Sequence, residues 1–473
     1  MSPLPAGVGR VLLTMQAFLA IARLTFKAAF RFRLVPLLAV FLLGSVFLLP
    51  AVIKHDGTAQ GFIQIVLSYT LGLITAVLGL TTLWLACGTL ARDIDDCTIQ
   101  LVVVKPVARW QIWLGKWAGL LAVNLLLLGL SAGVVFAQML WRARQLPAEQ
   151  QEKLRQEIFV ARGSAREPMP DIEAEVQRRV RERVEKEQLA TLDLKELQRL
   201  VREQVKAELQ VVPSGYVRAW AVDLGAAAAR LKDQPLFIRV KFFVTEKSPS
   251  GTYTGVWDVG PPDSPYRQRT VRTHAAETFY EIELPPNLLD SRGVLHVQFL
   301  NVNETAVLFP LEDGFEVLYR EGGFGLNYLR GVIIVLCWLA LLGALGLAAA
   351  SQLSFPVAAF VSLSLLLVAF STGTMNTIIE QGGIRPVNPN TGLIDTPNLF
   401  DEATVLFFKG LRGFIYLARD FTPVEALSTG RSITWGTLTR AVVQIVGVMS
   451  GLFAALGILI FNRRELALAG TRG

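Results

Sequence analysis

The sequence predicts an α-helical membrane protein of six transmembrane helices that carries an extracytoplasmic α+β domain, made of charged helices and a small antiparallel β-sandwich. Three observations predict this. The 473 residues are 52% hydrophobic and only 18% charged, with a mean hydropathy of +0.44, too apolar for a soluble chain of this length. Charge is segregated: 29 of the 70 residues from Trp141 to Gln210 are Asp, Glu, Lys or Arg. From Val217 to Tyr319 the apolar pattern changes to a period of two, the spacing of half-buried strands.

The spans follow from five charge-free stretches. Leu34–Ile53, Phe62–Ala91, Trp117–Trp141 and Ala441–Asn462 hold 20, 30, 25 and 22 residues, and Gly331–Ile379 holds 49. About 20 apolar residues cross a bilayer core, so the longest stretch folds back once. Ser351-Gln352-Leu353-Ser354 followed by Pro356 is the polar place for that turn.

Basic residues flanking the spans set the orientation. Arg10, Arg23, Lys27, Arg31 and Arg33 precede the first span. Arg92, Lys105, Arg109 and Lys116 lie after the second, and Arg463 and Arg464 after the last. Both termini are expected inside, with 142–330 and 380–440 outside. No short apolar core with a small-residue cleavage site opens the chain, so no cleavable signal peptide is expected.

The expected organisation runs in seven parts. Residues 1–33 form an amphipathic interfacial helix, with Leu12, Met15, Leu19, Ala22, Phe26 and Phe30 set against Arg23, Lys27 and Arg31. Residues 34–141 hold three spans. Residues 142–215 form a charged helical stalk in which Val176, Val180 and Val184, and Leu197, Val201, Val205 and Leu209, recur every four; Asp193 with Glu196 signals a helix start. Its 15 basic and 14 acidic residues over 141–210 nearly cancel, which speaks against nucleic-acid binding.

Residues 216–324 form the sandwich, with strands at Leu236–Val244, Phe279–Leu284 and Val294–Leu300 and turns at Ser248–Gly251, Gly260-Pro261-Pro262 and Pro285-Pro286-Asn287. Residues 325–379 hold two spans. Residues 380–440 form an outer loop with a re-entrant or interfacial helix over Ala403–Leu417, and 441–473 the last span and the tail.

Several chemistries are missing from the sequence. No phosphate-binding loop occurs, since Gly115-Lys116 lacks an upstream glycine and a following hydroxyl. No metal site is expected, because His55, His274 and His296 are scattered. Cys87, Cys97 and Cys337 read as small core residues. Asn303-Glu304-Thr305 matches a glycosylation acceptor, a triplet common by chance. No charge lies within a span, which disfavours a proton-driven carrier. Asn124, Gln138 and Gln444 are the polar span residues, candidates for a substrate path or for helix–helix hydrogen bonds. Trp220, Tyr253, Trp257 and Tyr266 form either an aromatic platform for a glycan or the sandwich core.

The stretch between the second and third spans, Arg92 to Lys116, carries the most specific signal. It reads Arg-Asp-Ile-Asp-Asp-Cys-Thr-Ile-Gln-Leu-Val-Val-Val-Lys-Pro-Val-Ala-Arg-Trp-Gln-Ile-Trp-Leu-Gly-Lys. This resembles the cytosolic coupling segment of the permease subunits of type-2 ABC transporters. The family pattern has an acidic residue, Gly-Thr, a Leu-Leu pair, Pro-Val-Ser-Arg and Leu-x-x-Lys. Here Cys97 stands for the glycine, Val102 follows Leu101, and Ala108 replaces the serine.

The resemblance covers roughly 1–141 and 325–473. It implies a multi-pass protein of the bacterial cytoplasmic (inner) membrane. The implied complex pairs this chain with a second permease copy or paralogue and two ABC ATPase subunits that hold the ATP and Mg. On this resemblance no cofactor is expected on this chain, and no enzyme activity of its own. Asp93, Asp96, Thr98, Leu101, Lys105, Pro106 and Arg109 are the expected ATPase-coupling residues. On this expectation the acids open a short helix, Ile99, Leu101 and Val102 face the ATPase, and Lys105 and Arg109 form its rim. The implied function is export of a lipid, glycan or hydrophobic substrate. The alternative is a mechanotransmission or envelope-assembly complex that moves its outer domain, with a protein partner there, and translocates nothing.

Overall fold

A computed structural model describes residues 6–31, 34–53, 61, 66–105, 107–157, 159–187, 194–261, 265–385, 398–419 and 421–464. The chain divides into two compact units, Met1–Phe159 with Gly323–Gly473, and Val160–Gly322.

The first unit is helical. Its elements in chain order are α1 (Ala6–Arg31), α2 (Leu34–Val52), α3 (Val66–Asp95), α4 (Gln100–Val103), α5 (Arg109–Ala143) and α6 (Ala148–Glu157). In the second unit come α7 (Glu173–Glu187), α8 (Leu194–Gln210) and α9 (Ala228–Leu231). The chain returns to the first unit with α10 (Phe324–Ala350), α11 (Phe355–Phe370), α12 (Thr372–Gln381), α13 (Leu399–Arg419), α14 (Pro423–Ser428) and α15 (Trp435–Arg463).

Four helices are long and apolar enough to cross a membrane: α3, α5, α10 and α15. Two bent pairs pass only together, Met15–Arg31 with Val35–Leu49 at 68° and Phe355–Phe370 with Thr372–Ile379 at 73°, which makes up to six spans if each pair counts as one. The expected fifth span is therefore broken. The break falls at Ser371, whose hydroxyl donates back to the Leu367 carbonyl (3.1 Å) beside Thr372 and Gly373. The expected turn at Ser351–Ser354 is present, with Ser354 as N-cap and Pro356 in the first turn of α11.

Helix α10 is the hub, packed on α3, α5, α11 and α15. Close approach needs small residues: a Cβ on Gly346 would lie 2.7 Å from that of Ala86 on α3. Helix α1 lies along α5, where a Cβ on Gly119 would meet the Ala22 carbonyl at 2.6 Å. Its Arg23, Lys27 and Arg31 are exposed.

In the second unit α7 and α8 form a hairpin around Val176, Val180, Leu197, Val201 and Val205. Val184 and Leu209, which continue the four-residue pattern, are largely exposed. Ion pairs Arg179–Glu175, Arg179–Glu208 and Arg202–Glu173, each 2.8 Å, lace its surface. The expected cap Asp193 lies outside the described residues.

The strands are β1 (Val160–Ala165), β2 (Val211–Val212), β3 (Val217–Asp223), β4 (Leu236–Val240), β5 (Phe243–Val244), β6 (Thr252–Val259), β7 (Gln268–Ala275), β8 (Tyr280–Leu284), β9 (Val294–Asn301), β10 (Val307–Leu308) and β11 (Phe315–Gly323). They make separate sheets of order β1-β11-β4-β8, β2-β10-β5 and β3-β9-β6-β7, all of them around one apolar cluster that includes Val222, Ile238, Val297, Val307 and Val317. The strand expected over Leu236–Val244 is split between two sheets. The Lys241 N–H donates to the Gly314 carbonyl (3.0 Å), the last bond of the β4–β11 register, and β5 pairs with β10 instead. Turns occur at Gly251 (φ 66°) and Asn287 (φ 68°), within the expected turn segments.

Candidate functional site

The link between α3 and α5 is built from both helices. Helix α3 runs on to Asp95, and Asp96 caps its C-terminus with its N–H on the Arg92 carbonyl (2.8 Å). The acids therefore close a helix rather than open one, which corrects the expectation of a favourable N-terminal dipole; Leu90, Ala91 and Ile94 continue the apolar stripe of the span and carry the helix past its charged end.

The chain then reverses at Cys97, whose φ of 58° lies in the left-handed region. That region favours glycine, the residue the family pattern places there. The Thr98 hydroxyl donates to Asp93, 3.2 Å from its carbonyl and 3.3 Å from its carboxylate.

The short α4 carries Ile99 into the core, where it is 2% exposed, and leaves Leu101 75% and Val104 87% exposed. Lys105 and Trp110 are also exposed, and Val102 packs against the cluster that holds Ile99. The outward apolar tip is thus Leu101 with Val104, not the expected Ile99–Leu101–Val102 face. Pro106 lies outside the described residues.

Helix α5 opens at Ala108, an N-cap with extended backbone. The Gln111 side-chain oxygen accepts the Ala108 N–H (2.9 Å), and alanine offers no oxygen in return. That is half a capping box.

Arg109, expected at the rim, is bonded within the chain. Its guanidinium donates to the carbonyls of Phe461 (2.7 Å), Asn462 (2.9 Å) and Arg464 (2.9 Å), satisfying the C-terminus of α15. Arg464 in turn donates to the Ser351 carbonyl (3.1 Å), and the Trp113 N–H reaches the Ser351 hydroxyl (3.3 Å). One turn further, buried Lys116 donates to the Thr89 carbonyl (2.9 Å) and pairs with the Asp93 carboxylate. Arg92 lies over the Phe355 ring, 4.5 Å from its centroid. The ends of α3, α5, α10, α11 and α15 are thereby tied together beneath a projecting apolar turn.

The remaining expected site residues scatter. Asn124 Oδ1 lies 2.9 Å from the Thr82 hydroxyl, which also reaches the Leu78 carbonyl at 2.6 Å, a contact between α5 and α3. Gln138 is buried on α5, about 21 Å further along the axis. Gln444 is half-buried in a π-wound part of α15. The three do not form one cluster.

Trp220, Tyr253 and Trp257 are core side chains, with Trp220 stacked on Phe315 at 4.4 Å between centroids, and present no platform. Tyr266 is 66% exposed. Asn303 donates its amide to the Thr254 carbonyl and to Asn301, each at 2.8 Å. Among the described residues no group of three His, Cys, Asp or Glu side chains is placed to hold a metal.

A further ionic centre, not expected from the sequence, is Glu316, 1% exposed, bound by Arg166 (2.9 Å), Arg239 (3.3 Å) and the Ser164 hydroxyl (2.8 Å). Its alternation as an outward strand residue gave no sign of burial.

No family model matches the chain, and neither a curated protein nor a solved structure matches it.

Proposed function

We propose that this chain is the membrane subunit of an ATP-driven ABC-type complex, in which a separate ATPase docks on the turn between α3 and α5. On this reading the two bent helix pairs each make one span, for six in all, both termini are cytosolic, and Val160–Gly322 is extracytoplasmic with its sheets packed as a sandwich. The observation that carries the reading is the projecting Leu101–Val104 turn on a base braced by Lys116–Asp93 and Arg109. Two exposed apolar side chains flanked by exposed Asp95, Asp96 and Lys105 fit the closed contact of a protein partner. The buried bracing gives that partner a mechanical path into the helices.

Substrate export remains the first reading of what the stroke does. The distance from Asn124 to Gln138, about 21 Å along α5, favours the second: a device that moves its outer unit without translocating a substrate.

The test is recovery of ATPase subunits with the tagged chain from its native membrane. Leu101→Asp or Val104→Asp should lower recovery at least tenfold while insertion is unchanged, because each puts a charge into a closed apolar contact. Robust ATP hydrolysis by the chain free of any partner, or normal recovery with both substitutions, would end the reading.

A further inference from the structure

The first unit holds a small polar cavity at one end of its apolar helices. Its volume is about 200 Å³, and it lies between α10, α14 and the start of α15. One wall is the loop 429–434, which is pinned to α10. Asn327 donates its amide to the Arg431 carbonyl (2.7 Å) and accepts the Ile433 N–H (2.7 Å), and Arg330 donates to the Ile433 carbonyl (2.9 Å). The Arg431 N–H reaches the Ala426 carbonyl on α14 (2.8 Å), after a turn at Gly430 with φ 69°. The backbone of the loop is thus engaged with its neighbours, and Arg431 and Ser432 line the cavity.

The lining states what chemistry fits there. The Ser432 hydroxyl is buried and has no hydrogen-bond partner among the described residues. A buried hydroxyl in that condition calls for a ligand or a water. Both signs of charge are present, the Arg431 guanidinium and the Glu425 carboxylate, and Glu425 is exposed and not paired with Arg431. Apolar Ile334 lines the cavity seven residues beyond Asn327, about 10 Å further along α10. The cavity therefore grades from exposed Thr422 and Glu425 to an apolar floor.

Its position is that of a membrane boundary. Trp435, the first residue of α15, is 62% exposed, and Arg330 lies 4.3 Å from the centroid of its ring. Exposed tryptophan beside a cation at the end of an apolar helix is an interfacial anchor. A volume of about 200 Å³ is below the roughly 300 Å³ of the smallest drug-sized sites, so the cavity takes a headgroup and leaves acyl chains outside.

We infer that this cavity holds the headgroup of a phosphoethanolamine lipid. The phosphate sits between the Arg431 fork, whose planar donors match it, and the Ser432 hydroxyl. The primary ammonium faces Glu425 at the exposed mouth, and the glycerol passes Ile334 on the apolar side. A choline head replaces the ammonium protons with methyl groups and offers Glu425 no donor; a glycerol head carries no cation. The inference rests on α10 and α15 crossing a membrane and on no ATPase, so loss of ATPase recovery and loss of lipid selectivity are separate failures.

Native mass spectrometry of the full chain in detergent reads the selectivity, with dioleoyl phosphatidylethanolamine, phosphatidylcholine and phosphatidylglycerol supplied in equal amounts. One equivalent of the ethanolamine lipid should be retained, about fivefold or more over either competitor, as one further charged hydrogen bond gives. Glu425→Ala should bring the ethanolamine and choline lipids level. Arg431→Gln should lower retention of all three about tenfold, and Ser432→Ala about fivefold. Free O-phosphoethanolamine should displace the bound lipid. Its binding to lipid-free protein with no selectivity among the lipids would assign a soluble ligand and overturn the lipid. Equal retention of the three lipids by the unaltered chain would mean annular lipid around a water-filled cavity, and would overturn the inference whatever the variants do. So would unchanged selectivity in folded Glu425→Ala or unchanged retention in folded Arg431→Gln.

Discussion

Lys116, buried near the start of α5, is bonded to Asp93 in the last turn of α3, and that carboxylate is itself 43% exposed. The two partners are unequal, so their removal has unequal consequences. Asp93→Ala leaves a buried ammonium with the Thr89 carbonyl and removes the carboxylate acceptor of Thr98, which keeps the backbone carbonyl of residue 93. Lys116→Met leaves only a half-exposed carboxylate that water can reach. Asp93→Ala is expected to lower stability by about 2–4 kcal/mol and Lys116→Met by about 1 kcal/mol. Thermal unfolding in one detergent gives the order; equal losses would show that the pair does not brace the helices.

Arg109 bonds three carbonyls at the end of α15. Arg109→Ala is therefore expected to act on the membrane unit itself, with increased amide exchange or proteolysis at 460–464. Lysine should rescue poorly, because one ammonium cannot reproduce a planar fork bonded to three acceptors. A variant that loses partner ATPase while exchange at 460–464 stays at the wild-type level would return Arg109 to a docking role.

Ala108→Ser completes the capping box begun by Gln111, adding a side-chain acceptor for the Gln111 N–H. It should stabilise the start of α5 by about 1 kcal/mol, visible as a raised melting temperature. No rise would mean that the serine is drawn away from the helix.

How much of this was legible depended on how local the cause was. The polar turn Ser351–Ser354, the valine ridge of the helical hairpin and the four long apolar helices are set by neighbours in sequence, and patterns of four and twenty residues found them. The role of Arg109 is set by acceptors 352 to 355 positions away, which no local pattern carries. The acids at 93–96 looked like a helix start because charge is common there; the apolar stripe through Leu90 and Ile94 was the better guide, and it placed them at an end. For Trp220, Tyr253 and Trp257 the period of two marked strands but left open which face is inward, and packing of the tryptophans around Phe309 and Phe315 and of Tyr253 on Phe242 decided it.

Burial and the nearby Arg272 push the His274 imidazole below its ordinary value of 6.5, and its ring stacks on Tyr280 at 4.0 Å. The unfolded chain then binds the proton more readily than the folded one. Stability of the unit Val160–Gly322 should be full above pH 6.5, fall as pH drops through 6.5, and level off below the depressed folded value. Hydrogen exchange of β7 measured between pH 8 and pH 5 (about three units) reads this directly. His274→Phe keeps the ring stack and should flatten the profile; an unchanged slope would assign it to other groups.

The orientation is tested by single cysteines in a chain whose three native cysteines are replaced. Basic residues crowd the ends of α1, α3, α5 and α15 that the proposal places inside, at Arg31, Arg92, Arg109 and Arg463. Cys97, the native cysteine of the link, is half-buried there, and Ala108 beside it is exposed. Ser250, in a turn of the second unit, is exposed as well. In intact cells a cysteine at position 250 should react with an impermeant maleimide, whereas one at position 108 should react only after the membrane is opened. Both sites are accessible to reagent on their own side, so failure to label reports the membrane and not burial. Labelling of position 108 from outside would put the Leu101–Val104 turn on the side without ATP and leave no ATPase to dock on it.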